Sequence, residues 1–443
     1  MSRFWSLVIV LAWFGNMAVW SNIGAAKDPA PKPAEKPAAV ATAKDAAAET
    51  NKDEWIMGQP IQHANMLIFP ITSRTAKDDD RFITLDEGLK AGTVEIMEIG
   101  ADGQAMPRAA ANGNGPANPT PGNPVAGNST GTQQNRQGRA EPSGDVNHLM
   151  VLNRSQKSLY LMPGEIVVGG KQDRAVGQEF VIAPSDKPTK ISVFCVEHGR
   201  WHGRSASETA TLLNSASNNA DSSVAISGGA LNVTKAGEEA SGGKFAGTVG
   251  TIGKGGRVAV QADKSQRIVW EKVMESNKAA GNETSSGAFT SNYASPETAK
   301  RLEPYLTAFS KPVADQTQVI GVIVAINGKV ETMDVYESTP LFRRLWPKLL
   351  KSYAFDATNA KDVKEPPKCD VDTARQFLAK VRDAEAKKSE KDGDVEIVTR
   401  DTADFVCFSA HERRKDSSPT AKAGDASGAG GLGGGIHSGA FSK

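Results

Sequence analysis

The clearest pattern in this chain is Val319-Ile-Gly-Val-Ile-Val-Ala-Ile326, apolar at every position, followed by Asn327-Gly328 and then Lys329 to Tyr336. A run with no polar face is a strand buried on both sides. Asn-Gly demands two residues with positive φ, so the pair predicts a hairpin closed by a type I′ turn. Thr84-Leu-Asp-Glu87 has capping-box spacing and predicts a helix over Leu85 to Lys90 that stops at Gly92. Strand character is expected over Ile61 to Ile71 (ending at Pro70), Thr93 to Ile99, His148 to Leu152, Leu159 to Met162 and Ile191 to Glu197. Helices are expected over Arg257 to Asn277, from Ser295-Pro296 through Phe309, from Ser338 with Leu341, Leu345 and Leu349 on one face, and over Asp372 to Ala386. Pro347 is expected to bend the third of these. Two closing strands, Asp394 to Thr399 and Asp404 to Ser409, complete an α+β chain: a β-rich core with several packed helices.

Between these elements the pattern vanishes. Residues 101–145 and 205–255 are rich in Gly, Asn, Ser and Ala, and bury too little apolar surface to offset chain entropy. They read as disordered insertions within a single domain spanning 54–414. Residues 27–53 read as an Ala/Pro/Lys linker and 415–443 as a disordered Gly/Ser-rich tail. At the N-terminus Arg3 precedes the apolar run Leu7 to Trp20 and the small residues Gly24-Ala25-Ala26. That is the pattern of a signal peptide over 1–26, and it predicts export to a periplasmic or extracellular space. An uncleaved anchor is the alternative, and the only membrane contact the sequence offers.

Charge changes the picture little. Lys+Arg 52 against Asp+Glu 51 leaves no global pull toward nucleic acid. Three cysteines, Cys195, Cys369 and Cys407, are too few for a disulfide framework, and a Cys369–Cys407 bridge stays open. No nucleophile elbow, phosphate-binding Walker loop or dinucleotide glycine motif occurs. No cofactor is required by the sequence.

Chemistry concentrates in two stretches. In Gly164-Glu-Ile-Val-Val-Gly-Gly-Lys-Gln-Asp-Arg174, a two-residue turn at Gly169-Gly170 would set Glu165 opposite Arg174 and Val167 opposite Gln172. Backbone amides of Gly169 and Gly170, with Lys171 and Arg174, would make an anion site flanked by Gln172 and Asp173. The bland alternative is a tight turn closed by a Glu165–Arg174 ion pair. In Cys195-Val-Glu-His-Gly-Arg-Trp-His202, alternation puts Ile191, Val193 and Cys195 on one face, making Cys195 a buried, inert thiol. Its spacing to Arg200 is Cys-x4-Arg, one short of the Cys-x5-Arg phosphatase loop. Glu197 is the candidate general base, Arg200 a ligand-binding guanidinium and Trp201 a stacking platform. An ion pair packed beneath Trp201 is the structural alternative. Gly199 works against the helix that would join His198 to His202, so no metal site is expected. Gln266 and Trp270 share a helix face, His411 reads as a surface histidine, and Asp334 is expected to be solvated.

These two stretches, with Gln266-Arg-Ile-Val-Trp270, Gly328-Lys-Val-Glu-Thr-Met-Asp-Val-Tyr336 and Phe405-Val-Cys-Phe-Ser-Ala-His411, resemble the ADP-ribosylglycohydrolase- and rhodanese-phosphatase-superfamily-associated protein domain. The resemblance covers roughly Pro60 to Arg413. It implies association with enzymes that handle ADP-ribose, phosphate esters and sulfur. It implies no catalytic set. The expectation is therefore an exported domain whose two polar stretches line a pocket for a phosphate- or ribose-bearing small molecule. The alternative is a structural or protein-interaction module of the cell envelope.

Overall fold

A computed structural model of the chain describes residues 55–99, 147–200, 203–218, 245–413 and 435–443. The expected signal peptide, linker and 101–145 insertion lie outside these residues, as do Trp201 and His202. The first strands are β1 (Trp55–Met57), β2 (Ile61–His63), β3 (Met66–Ser73) and β4 (Phe82–Thr84), followed by α1 (Leu85–Ala91) and β5 (Val94–Glu98). Next come β6 (His148–Asn153), β7 (Ser158–Leu161), β8 (Glu165–Gly169), β9 (Arg174–Val176), β10 (Phe180–Ile182) and β11 (Thr189–Cys195). The middle of the chain holds α2 (Ala206–Asn218), β12 (Phe245–Thr251), α3 (Lys254–Val258), a π-helical turn at Ala259–Asp263, α4 (Gln266–Ala280), α5 (Thr290–Ala294) and α6 (Pro296–Ala314). The last part holds β13 (Val319–Ile326), β14 (Lys329–Tyr336), α7 (Thr339–Asn359), α8 (Val371–Asp383), β15 (Lys388–Asp392), β16 (Val395–Asp401), β17 (Phe405–Glu412) and β18 (His437–Ser442). The α+β reading holds.

The hairpin is the spine of a nine-stranded sheet ordered β1-β3-β13-β14-β18-β17-β16-β15, with β2 also paired to β3. Asn327 (φ 50°) and Gly328 (φ 74°) both take positive φ, as the turn demands. Every residue of β13 is buried, and its two faces serve two cores. Val322 and Val324 join Leu341, Leu345 and Leu349 of α7 and Phe309 of α6. Ile323 and Ala325 join Ala374 and Val381 of α8 with Phe405 and Cys407 of β17. A polar residue in β13 would therefore lose its water on either face.

A six-stranded sheet, β12-β8-β9-β11-β6-β5, carries the two polar stretches, and a small sheet β10-β7-β4 lies under α1. Helix α1 forms as its capping box predicts: Glu87 Oε2 accepts from the Thr84 amide (2.8 Å), and Gly92 ends the helix with φ 68°.

Several boundaries differ from expectation. The single strand expected over Ile61 to Ile71 is instead a hairpin, β2 and β3 turning at Ala64 (φ 48°), and β3 runs past Pro70 to Ser73 because β1 pairs with Ile71, Thr72 and Ser73. Arg257 to Asn277 is not one helix. It breaks where Lys264 turns left-handed (φ 47°), and α4 restarts from Ser265. The 205–255 stretch includes α2 and β12 at its ends, so that part of the disorder reading is corrected. So is the 415–443 tail, whose last residues form β18 between β14 and β17. Gly-rich composition hid a strand whose small residues suit a crowded sheet centre. Pro347 lies inside α7, and the helix continues through it to Asn359. Cys195, Cys369 and Cys407 are all free thiols. No helix among the described residues is long and apolar enough to cross a membrane.

Candidate functional site

The β8–β9 connection is longer than a two-residue turn. Ile166 pairs with Ala175 and Val167 with Arg174, which leaves residues 170–173 as the loop. Glu165 therefore does not face Arg174, and the expected ion pair does not form. Glu165 turns instead to the ammonium of Lys348 on α7, which also binds Asp86. Gly170 (φ 54°) sits where a Cβ would be 2.6 Å from Glu98 Oε1 and 2.9 Å from the Phe245 ring. Glu98 uses that space to accept from the Lys171 amide (2.6 Å). The longer loop lets Gln172 and Asp173 fold inward, and both are fully buried, whereas the Lys171 side chain stays exposed.

The second stretch arrives beside them because β11 pairs with β9 and the chain leaves it at Cys195. The Val196 amide donates to Asp173 O (3.1 Å), and the Asp173 amide donates to Glu197 Oε2 (3.2 Å). The two polar stretches are neighbours. Arg200 donates from Nε to Glu197 Oε2 (2.9 Å) and from Nη1 to Gly170 O (2.9 Å), and its Nη2 lies 3.3 Å from Asp173 Oδ1. Arg204, which sequence reasoning passed over, completes the group. Its Nη1 donates to Asp173 Oδ1 and Oδ2 (2.6 and 2.8 Å), and its Nη2 to Glu197 Oε1 (3.1 Å). Burial opposes the Arg204 charge, yet Asp173 and Glu197 outweigh it and raise the pKa above its ordinary value. Thr290 of α5 adds a hydroxyl bond to Asp173 Oδ2 (2.9 Å). Arg204 borders the Ser-rich 205–255 stretch. Its one sequence signal was the four-residue step from Arg200, which only tertiary contact makes meaningful.

Arg174 differs from its neighbours. It is 3% exposed, donates from Nη1 to Gln172 Oε1 (3.0 Å), and its Nε has no hydrogen-bond partner. Among the described residues no carboxylate oxygen lies within 4.0 Å of it. Glu197, by contrast, has both oxygens engaged by Arg200, Arg204 and the Asp173 amide. Cys195 is buried, and burial raises its thiol pKa; the Gln266 side chain clamps its backbone N–H and carbonyl, each at 2.8 Å. His198 is exposed and stands edge-on to Trp270, with ring centroids 4.5 Å apart. No metal-binding group of His, Cys, Asp and Glu occurs among the described residues.

A second buried polar group gathers at the nine-stranded sheet, at residues with no local pattern that marks them. Asp334, expected to be solvated, is fully buried. It accepts from Arg257 Nη1 (2.9 Å) and Nη2 (2.6 Å), from the Tyr353 hydroxyl, and bonds His437 Nε2 (2.9 Å). His437 Nδ1 meets Glu179. Burial works against the His437 charge, but Glu179 and Asp334 prevail and raise its pKa. Burial also works against the Asp334 carboxylate, and Arg257 with His437 holds its pKa well below the usual range. His437 comes from the stretch read as a disordered tail, so this group had no legible member at that end. Elsewhere two cavities of about 460 and 490 Å³ share Lys254 and Gly255 in their linings.

No curated protein and no solved structure matches this chain. The family model of the ARG and Rhodanese-Phosphatase-superfamily-associated Protein domain matches residues 54–413, a span that holds both polar stretches and every described helix. That span is most of the chain, which therefore belongs to this family.

Proposed function

We propose that the β8–β9 loop and the turn after β11 recognise a small molecule bearing a phosphate or ribose-phosphate group, ADP-ribose being the model ligand. The observation that carries this reading is Arg174. The guanidinium groups of Arg200 and Arg204 pair with the carboxylates of Asp173 and Glu197, a third buried carboxylate, Glu98, is bound by the Lys171 amide, and no carboxylate ion pair reaches the third guanidinium, Arg174, among the described residues. Asp173 and Glu197 are both engaged by Arg200 and Arg204. Arg174 is left over, buried, with a neutral amide oxygen as its partner. An unmatched buried charge costs several kcal/mol, and an anion brought in from solution supplies the missing partner. Lys171 at the exposed loop tip adds attraction, and Trp201 is assigned to stacking by its sequence position, whereas the Gly169 and Lys171 amides are already taken by Asp173 and Glu98. Glu197 positions Arg200 and Arg204 here. To act as a base it would first have to release them. The N-terminal pattern supports a reading in which recognition takes place outside the cytoplasm.

The second reading, a non-enzymatic interaction module of the envelope, draws on the pairing of Asp173 and Glu197 with Arg200 and Arg204. Thermal unfolding with inorganic phosphate, ADP-ribose and AMP separates the two. Stabilisation growing with ligand concentration is expected in the wild type and lost in Arg174→Met. A wild type indifferent to all three ligands leaves the interaction module standing.

A further inference from the structure

A carboxylate in the opposite predicament lies elsewhere. Asp356, near the end of α7, forms part of the wall of the 460 Å³ cavity between α7, the β13–β14 hairpin and the start of α3. Its lining includes the apolar Val324, Ile326, Ala360 and Val363 together with the charged Lys254, Glu331 and Asp356. Val363 is 47% exposed, so the cavity opens to solvent there.

Lys254 does not neutralise Asp356. Its ammonium binds Glu331 and Ser442 Oγ (2.9 Å), while only its backbone amide donates to Asp356 Oδ2 (2.9 Å). No ion pair reaches Asp356 from any described residue, whereas Glu331 beside it has one. Gly253 gives the carboxylate its room, since a Cβ there would collide with Asp356 Oδ1. Burial lifts the Asp356 pKa to about 6; the Lys254 amide, Lys254 and Arg257 pull it down and Glu331 pushes it up, without cancelling that lift. Lys329 also lines the cavity, but its side chain is exposed.

We infer that this cavity binds a small molecule carrying an ammonium group on an apolar body, the ammonium meeting Asp356 and the body lying along Val324, Ile326, Ala360 and Val363. An anionic head would meet Asp356 and Glu331 with like charge, and a neutral one would leave Asp356 unmatched. A charge-assisted bond in a partly desolvated site adds more than a neutral one. The site is separate from the Arg174 cluster, and neither proposal depends on the other.

Ligand-observed NMR titration of the full chain with n-butylammonium, n-butanol and butyrate tests it. At pH 7.5 n-butylammonium should bind about tenfold or more tightly than the other two. That preference should fade as the pH falls through about 6 and should be missing in Asp356→Asn. Asn keeps an acceptor for the Lys254 amide, and far-UV circular dichroism reports whether the variant folds. Ala360→Met takes up cavity space along the apolar lining while leaving Asp356 in place and should abolish binding. Equal binding of n-butanol and n-butylammonium, unchanged preference in folded Asp356→Asn, or undiminished binding in Ala360→Met each overturns the proposal.

Discussion

Two buried charge clusters in this protein look alike and differ in one respect. At the nine-stranded sheet, Asp334 and His437 from its strands alternate in sign with Arg257 of α3 and Glu179 of the β9–β10 loop, so with His437 protonated each charge has a partner. In the six-stranded sheet Arg200 and Arg204 share Asp173 and Glu197, but Arg174 stands outside the pairing. A matched cluster recovers its desolvation cost internally and ties strands together. A cluster with one charge to spare is complete only with something from outside. The difference separates a structural role from a binding role more sharply than burial does, because both clusters are buried.

Asp334→Asn should cost the most, about 3–5 kcal/mol by chemical denaturation, since Arg257, His437 and Tyr353 all lose their anion. Glu197→Gln should cost less, about 2–3 kcal/mol, because Asp173 still faces Arg200 and Arg204. Arg174→Met should reverse the sign. Without ligand it should stabilise the fold by about 1–2 kcal/mol, because an apolar side chain replaces an unmatched buried charge. A loss of stability there would mean that Arg174 has a structural partner, and the contrast between the clusters would collapse.

The smallest effect sharpens the same idea at a third place. Lys351 of α7 is 1% exposed and has no carboxylate partner among the described residues. Its ammonium bonds the carbonyls of Ala216 (2.9 Å) and Val249 (3.1 Å) and lies 4.3 Å from the centre of the Tyr293 ring. Burial lowers its pKa from 10.5 to about 7. With the folded value below the unfolded one, the unfolded chain holds more protons between pH 7 and 10.5, so stability rises with pH across that window. Lys351→Met should therefore stabilise the protein by about 1 kcal/mol near pH 6, and the gain should shrink toward pH 10. A pH-independent gain would show that the ammonium is adequately solvated by its carbonyls.

Much of the candidate site was readable because its residues are dense in two short stretches. Asp173, Glu197 and Arg200 do meet, and Cys195 is buried on the face that alternation assigned to it. What failed was register. Two residues too few in the turn set Glu165 against Arg174, when Glu165 belongs to Lys348 on α7, 183 residues away. The same blindness hid Arg204, Thr290 and His437, which come from a loop, a five-residue helix and a Gly-rich tail. None carries a local pattern, because each is recruited by a partner distant in the chain.

Local chemistry alone determined the α+β class, the capping box, the type I′ hairpin and the double-faced burial of β13. Each depends on backbone preference or on which faces are apolar, and both can be read within a dozen residues. Which charges are matched was decided only by the tertiary structure. A guanidinium or a carboxylate looks the same in sequence whether its partner is present, shared or missing. The chain as a whole carries almost equal numbers of each, and only packing decides that Arg174, Asp356 and Lys351 are among the described charges left without an ion-pair partner.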